Sequence, residues 1–208
     1  MRAVVTIFAA VLTVMYPLAV YYGLTHFSTR AVVLLLAVLL TTSALLKSKS
    51  LVREPRELLG LLLVGATLLM SAVLDDHRFL LATPVLMNAG LFFTFASTLR
   101  TDTPLVERFA RMQVSDPSAE ELRYCRSVTQ VWSAFFVVNG SIALGLALLA
   151  PLSWWALYNG LLAYGLIGLL GASEYVIRKR RFGRFGDNPI DRVLESILAR
   201  RARNGASG

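Results

Sequence analysis

Three asparagines lie inside long apolar stretches of this 208-residue chain, at Asn88, Asn139 and Asn159. A carboxamide both donates and accepts hydrogen bonds, and hydrocarbon offers no partner for either, so such residues are costly inside a membrane unless polar groups meet. Tyr16 and Tyr158 add phenolic hydroxyls to two apolar stretches. We expect these side chains to hold helices together by hydrogen bonds, which the sequence favours, or to form a lipid or acyl-chain site.

Patterns that support catalysis or metal binding are scarce. The sequence contains no glycine-rich phosphate loop and no HExxH or CxxC spacing, so it predicts no metal and no cofactor. Cys125 is the only cysteine, and both histidines fall on the other side of the predicted membrane, so no base would activate its thiol. The acidic residues beside His77 occupy a predicted tight turn; solvation is the favoured interpretation there and a metal or proton site the alternative.

Six apolar stretches must position these residues. They cover Ala3–Tyr22, Ala31–Leu46, Leu58–Leu74, Phe79–Leu99, Val131–Leu149 and Ser153–Ile177. A helix rises ~1.5 Å per residue, so about 20 apolar residues cross a bilayer. The apolarity is continuous rather than alternating, which favours helices over barrel strands. With 56% hydrophobic residues and a mean hydropathy of +0.61, the chain is predicted to be an all-α polytopic bundle of six transmembrane helices.

The positive charges indicate the orientation. Of the 21 Lys and Arg residues, all but Arg30 and Arg78 fall on the side that holds both termini. The positive-inside rule therefore predicts that both termini lie in the cytoplasm. The first stretch is longer than a typical signal-peptide core and lacks a small-x-small cleavage pattern, so we expect it to remain as an anchor. The transmembrane domain would span residues 1–177, with one sizeable cytoplasmic connection at 100–129.

That cytoplasmic connection predicts two helical pieces. Pro104 suits the first helical position, and Val106, Phe109 and Ala110 then share a face. Ser118–Glu121 forms a capping-box pattern, so the fifth span should begin well before the bilayer. We expect the first piece to lie on the membrane surface, with a docking site for a soluble partner as the alternative. The candidate partner surface consists of Glu107, Arg108, Phe109, Tyr124 and Arg126.

The basic tail, residues 178–208, predicts a second cytoplasmic feature. Asn188 and Pro189 suit the start of a helix, and Ile190, Val193 and Leu194 begin an apolar face at helical spacing. The resulting amphipathic helix would lie on the inner leaflet or pack on a partner. We expect no nucleic-acid partner, because the net charge of +8 matches the anionic lipid beside a cytoplasm-facing membrane protein.

Five segments resemble a family of bacterial multi-pass inner-membrane proteins. They are YPLAVYYGL from Tyr16, TPVLMNAGLFFTFASTL from Thr83, PLVERFARMQ from Pro104, YCRSVTQVWSAFFVVNG from Tyr124 and WWALYNGLLAYGLIGLLGASEY from Trp154. The resemblance covers most of residues 1–180. Genes of that family often lie among acyl-chain and aryl-polyene synthesis enzymes, and members sometimes carry a ketosynthase label. That label conflicts with the residues, because decarboxylative condensation needs an activated cysteine with histidine partners and Cys125 has none.

More distantly, the second half resembles septation protein A, an inner-membrane envelope protein. The shared residues are Pro104, Leu105, Arg108, Trp132, Phe135, Phe136 and Gly140. The chain departs from that family at Ala143, where the family has an asparagine. Neither resemblance implies an active site.

Residues and resemblances together predict a non-catalytic accessory or scaffold protein of cell-envelope or acyl-lipid biogenesis. It would contact membrane lipids and recruit cytoplasmic or inner-membrane enzymes through residues 103–113 and 189–203. The alternative is a lipid or acyl-chain carrier that uses the intramembrane asparagines and tyrosines. A third hypothesis is a membrane-embedded transferase, for which the only plausible cluster is Glu107, Arg108, Tyr124 and Arg126.

Overall fold

The computed structural model describes residues 15–46, 55–113 and 116–183. Three predicted features lie outside these residues: most of the first apolar stretch, the basic residues of the second connection as far as Arg53, and the amphipathic tail helix. Within the described residues the chain is all-helical and contains no strand.

The helices are numbered in chain order. Residues 15–26 belong to α1. The others are α2 Thr29–Leu46, α3 Pro55–Leu74, α4 Arg78–Leu81, α5 Thr83–Thr98, α6 Leu105–Gln113, α7 Ala119–Leu149, α8 Leu152–Leu157 and α9 Ala163–Phe182, with a π-helical turn, Tyr158–Leu162, between α8 and α9. The first helical piece predicted in the fourth connection is α6, which begins at Leu105, one residue after the predicted start.

Three helical stretches of the described residues are long and apolar enough to cross a membrane. They are Arg78–Thr98, with 21 residues, and Ala119–Leu149 and Leu152–Phe182, with 31 residues each. Thr29–Thr42 and Leu62–Leu74 are shorter apolar helices. The all-α prediction is confirmed for the described residues, whereas the count of six spans and the orientation of the termini stay predictions.

Among the described helices, α5 and α7 form the most extensive pair. Gly140 permits the close approach, because a Cβ atom at that position would lie 3.0 Å from Asn88 Cβ. Farther along the pair, Phe95 stacks beside Phe136 and Trp132, with ring centroids 5.3 Å and 6.1 Å apart. The small residue lets the backbones of the two helices approach each other. The aromatic rings then pack against one another farther along the pair.

A proline interrupts the membrane span that contains α4 and α5. Pro84 has no N–H group to donate to the carbonyl of Leu80, and a bare carbonyl is costly where water is absent. The Tyr16 hydroxyl from α1 donates to Leu80 O at 2.9 Å, and Trp155 Nε1 from α8 donates to Leu81 O at 3.1 Å. Trp155 is fully buried. We call residues 80–84 the Pro84 break; its carbonyls join three helices that are distant in sequence.

The π-helical turn contains a side-chain hydrogen bond to a backbone carbonyl of its own helical run. Asn159 Nδ2 donates to the carbonyl of Trp155 at 2.9 Å, within the same helical run. Gly160 lies against α1, because a Cβ there would be 3.3 Å from the Leu18 side chain. The π-helical turn therefore lies against α1.

We predict that Tyr16→Phe destabilises the fold by roughly 1 kcal/mol, because it removes a donor from a buried carbonyl, and that Trp155→Phe costs more, because it also leaves a cavity in place of a fully buried indole. Thermal unfolding of the detergent-purified protein measures the effect. Tyr22→Phe is the matched control, since that side chain is 61% exposed. Equal unfolding temperatures for Tyr16→Phe, Trp155→Phe and the control would contradict the capping role.

Candidate functional site

Two of the three predicted asparagines meet, and a tyrosine joins them. Asn139 Nδ2 on α7 donates to Asn88 Oδ1 on α5 at 2.9 Å. The Tyr158 hydroxyl, at the start of the π-helical turn, donates to Asn139 Oδ1 at 2.7 Å. We call Asn88, Asn139 and Tyr158 the polar core. Both asparagines are buried, so this chain of hydrogen bonds connects three segments within the bundle.

The side chains of the polar core form hydrogen bonds with other groups of the protein. Asn88 Nδ2 donates to the carbonyl of Pro84 at 2.8 Å, so both ends of that carboxamide are occupied. Among the described residues, no buried side-chain nitrogen or oxygen lacks a hydrogen-bond partner. Each oxygen and nitrogen of the two carboxamides thus has at least one partner from the protein itself. The arrangement therefore favours adhesion between helices, the first of the two interpretations of the sequence.

The remaining two predicted ligand residues are placed elsewhere. Asn159 is buried but bonds the carbonyl of its own helical run, and Tyr16 caps the Pro84 break. Tyr16 also lies 2.9 Å from the Thr83 hydroxyl. Sequence reasoning missed Trp155 as a carbonyl cap; the signal that could have found it is a proline inside an apolar stretch, which demands a donor from another helix.

The predicted partner surface divides into residues that hold the structure and residues that face outward. Tyr124 donates to the carbonyl of Glu174 at 3.4 Å, and Arg126 donates to the carbonyl of Leu99 at 2.5 Å. Glu107 is buried, and its carboxylate lies 2.8 Å from Arg111. Arg108 and Phe109 are exposed. Tyr124, Arg126 and Glu107 therefore each have a bond to a different part of the chain.

Ion pairs fix the same end of the bundle, which we call the charged end (residues 100–113, 116–130 and 174–183). Glu174 and Arg178 pair at i, i+4 spacing, with Arg178 Nε 2.8 Å from the carboxylate. Glu120 on α7 pairs with Arg181 on α9 at 2.9 Å. The predicted capping box at Ser118 and Glu121 is confirmed. These contacts join the start of α7 to the end of α9.

Cys125 lies inside the charged end as part of a packed cluster. Its side chain is 3% exposed and packs with Val106, Ala110 and Val128. Both histidines belong to the opposite end, since His77 precedes α4 and Cys125 lies beyond the far end of α5. The thiol therefore occupies a small apolar position, as a buried cysteine commonly does.

The predicted turn at the opposite end is present. Asp75 adopts a left-handed backbone conformation with φ of 51°, and Ser71 Oγ donates to the carbonyl of Asp76 at 2.9 Å. Asp76 Oδ1 accepts from the backbone N–H of Arg78 at 2.9 Å, and Asp75 lies 3.7 Å from Arg30. No group of three metal-ligating side chains occurs among the residues searched, which are those the structure describes.

Comparison with known proteins gives no match to a family model, to a curated protein or to a solved structure. The resemblances carried by the sequence segments therefore stay predictions.

We predict that Asn88→Ala and Asn139→Ala are energetically coupled. A double-mutant cycle in detergent should give a coupling of about 0.6–1.7 kcal/mol, the range of interhelical hydrogen bonds in membrane proteins. The pair Asn88→Ala and Asn159→Ala is the control, because Asn159 bonds only its own helical run. Additive effects for Asn88 and Asn139 would show that their hydrogen bond contributes no stability.

Proposed function

We propose that this chain is a non-catalytic accessory or scaffold protein of the bacterial inner membrane that serves cell-envelope or acyl-lipid biogenesis. In this proposal six helices cross the membrane and both termini lie in the cytoplasm, as the distribution of Lys and Arg favours. The charged end, with the tail that follows it, would hold cytoplasmic or inner-membrane enzymes close to the bilayer.

The observation that carries the proposal is the length of α7 together with its contacts to the end of α9. α7 has 31 residues, and at ~1.5 Å per residue it is about 46 Å long, well beyond the ~30 Å of a hydrocarbon core. Its apolar run begins at Val131, so the turns from Ala119 onward project from the membrane. The Glu120–Arg181 pair ties that projection to the end of α9. A projection fixed by side-chain contacts is a preformed surface for a partner.

A lipid or acyl-chain carrier is the second candidate. One observation favours it: Tyr158 of the polar core begins a π-helical turn, and such turns often occur at functional sites. The occupied hydrogen bonds of Asn88 and Asn139 oppose it. A transferase is the third candidate, and the divergent contacts of Glu107, Tyr124 and Arg126 give it less support than either.

The scaffold proposal is tested by copurification. We expect a stoichiometric protein partner to accompany the chain from its native membrane in mild detergent, as measured by mass spectrometry. Truncation after Gly183 combined with Arg108→Glu should remove that partner, because Arg108 is exposed and the tail is the other segment predicted to hold a partner. Deleting α6 is a poorer test, since Val106 and Ala110 are part of a packed cluster.

Arg30→Glu is the control for the copurification, because Arg30 lies at the opposite end and its side chain is 70% exposed. The Arg30→Glu variant should still copurify with the partner. Recovery of no stoichiometric protein from the native membrane would refute the scaffold proposal.

A lipid-transfer measurement separates the carrier from the scaffold. We expect the chain to give no transfer of a fluorescent phospholipid between vesicles above the protein-free rate, and Asn88→Leu with Asn139→Leu to change nothing, because these side chains bond each other. Asn159→Leu is the matched control. Transfer that depends on Asn88 and Asn139, in variants whose unfolding temperature is retained, would establish the carrier instead.

A further inference from the structure

One face of α6 is exposed although the helix itself is firmly anchored. The N–H of Leu105 donates to Thr98 Oγ1 at 2.9 Å, and the N–H of Val106 donates to Thr129 Oγ1 at 3.4 Å. Val106 and Ala110 pack with Cys125 and Val128 of α7. Because α6 and α7 are joined by a short connection and pack together, they form a helical hairpin. The other side of α6 is left uncovered by the described residues.

Four exposed side chains make up this uncovered side, which we call the outer face of α6: Arg108, Phe109, Arg111 and Met112. Phe109 is 52% exposed and Met112 is 74% exposed. They stand three residues apart, so they project from neighbouring turns of the same helix face. Aromatic residues, Met and Arg are the side chains enriched in protein interfaces relative to the remaining surface.

The position of the outer face favours a protein over the lipid bilayer. The hairpin places Val106 beside Thr129, two residues before the apolar run of α7, and α6 then runs outward along α7. Met112 is six residues farther along, which is about 9 Å of helix. The headgroup layer is roughly 5–8 Å thick on each side of the core. The outer face therefore extends from the headgroup layer into the aqueous phase.

The net charge around the outer face of α6 indicates the charge of the partner. The charged end contains nine Lys and Arg residues against six Asp and Glu residues. Arg111 is compensated by Glu107, while the hydrogen bond of Arg108 goes to the uncharged carbonyl of Thr103 at 3.1 Å. A surface of net positive charge selects an acidic partner and repels a basic one.

We propose that the outer face of α6 docks into an apolar groove with an acidic rim on a partner protein. Phe109 and Met112 are the anchors that enter the groove, and Arg108 meets the carboxylates of its rim. This is the helix-in-groove mode of recognition, presented by a helix that is already ordered before binding. The inference rests on the proposed scaffold function and names the surface and the partner chemistry that this function uses.

The test is photo-crosslinking in living cells with the full chain. A benzoylphenylalanine residue replaces Met112, and in separate strains Ser127 on α7 or Lys179 on α9, both within the charged end. We expect a protein adduct from position 112 whose crosslinked peptide is rich in Asp, Glu and apolar residues. Arg108→Glu should reduce that adduct at least tenfold, whereas Arg123→Glu, an exposed charge reversal off the outer face, should reduce it less than twofold.

Each other result overturns the inference in a distinguishable way. An adduct of position 112 with phospholipid assigns the outer face to the bilayer, and an adduct with a second copy of this chain assigns it to self-association. Protein adducts from Ser127 or Lys179 without one from position 112 overturn the inference and leave the scaffold function standing. The absence of protein adducts from all three positions removes the scaffold function as well. Unfolding temperatures of Arg108→Glu and Arg123→Glu, compared with the unchanged chain, verify that both variants fold.

Discussion

A backbone carbonyl that loses its helical partner in an apolar environment must find another donor, and the fold of this protein depends on that requirement at Pro84. The proline removes one N–H group from the span, and the neighbouring carbonyls are bonded by Tyr16 and Trp155. Because those side chains come from α1 and α8, a local defect in one helix fixes the position of two others. Val20, Leu80 and Trp155 belong to one buried apolar cluster, so hydrogen bonding and apolar packing stabilise the same region of the fold.

The polar core lies one helical turn from Pro84, and its buried polar groups likewise need hydrogen-bond partners. Asn88 donates to the carbonyl of Pro84 and accepts from Asn139, which in turn accepts from Tyr158. The Pro84 break and the polar core are thus one continuous set of bonds that links four segments. A buried polar network whose members bond one another rigidifies the packing of the helices that carry them. These bonds are why the geometry supports adhesion over a carrier.

The two ends of the bundle are built differently. At one end a short turn with a left-handed Asp75 connects α3 to α4. At the other end α6 packs on the start of α7, which the Tyr124–Glu174 and Glu120–Arg181 contacts join to the end of α9. Exposed ion pairs contribute little stability individually, but here they fix the orientation of a surface that carries Phe109 and Met112.

The sequence by itself determined the features that depend on neighbours three or four residues apart. The capping box at Ser118 and the Glu174–Arg178 pair are examples, because one helical turn fixes both partners whatever the rest of the chain does. Continuous apolarity likewise predicted helices. Only the tertiary structure decided which asparagines meet, that Tyr16 and Trp155 cap carbonyls, and that Phe109 faces away from Val106 and Ala110. Those outcomes depend on the register and rotation of one helix against another, and helical periodicity allows several alignments of nearly equal apolar burial.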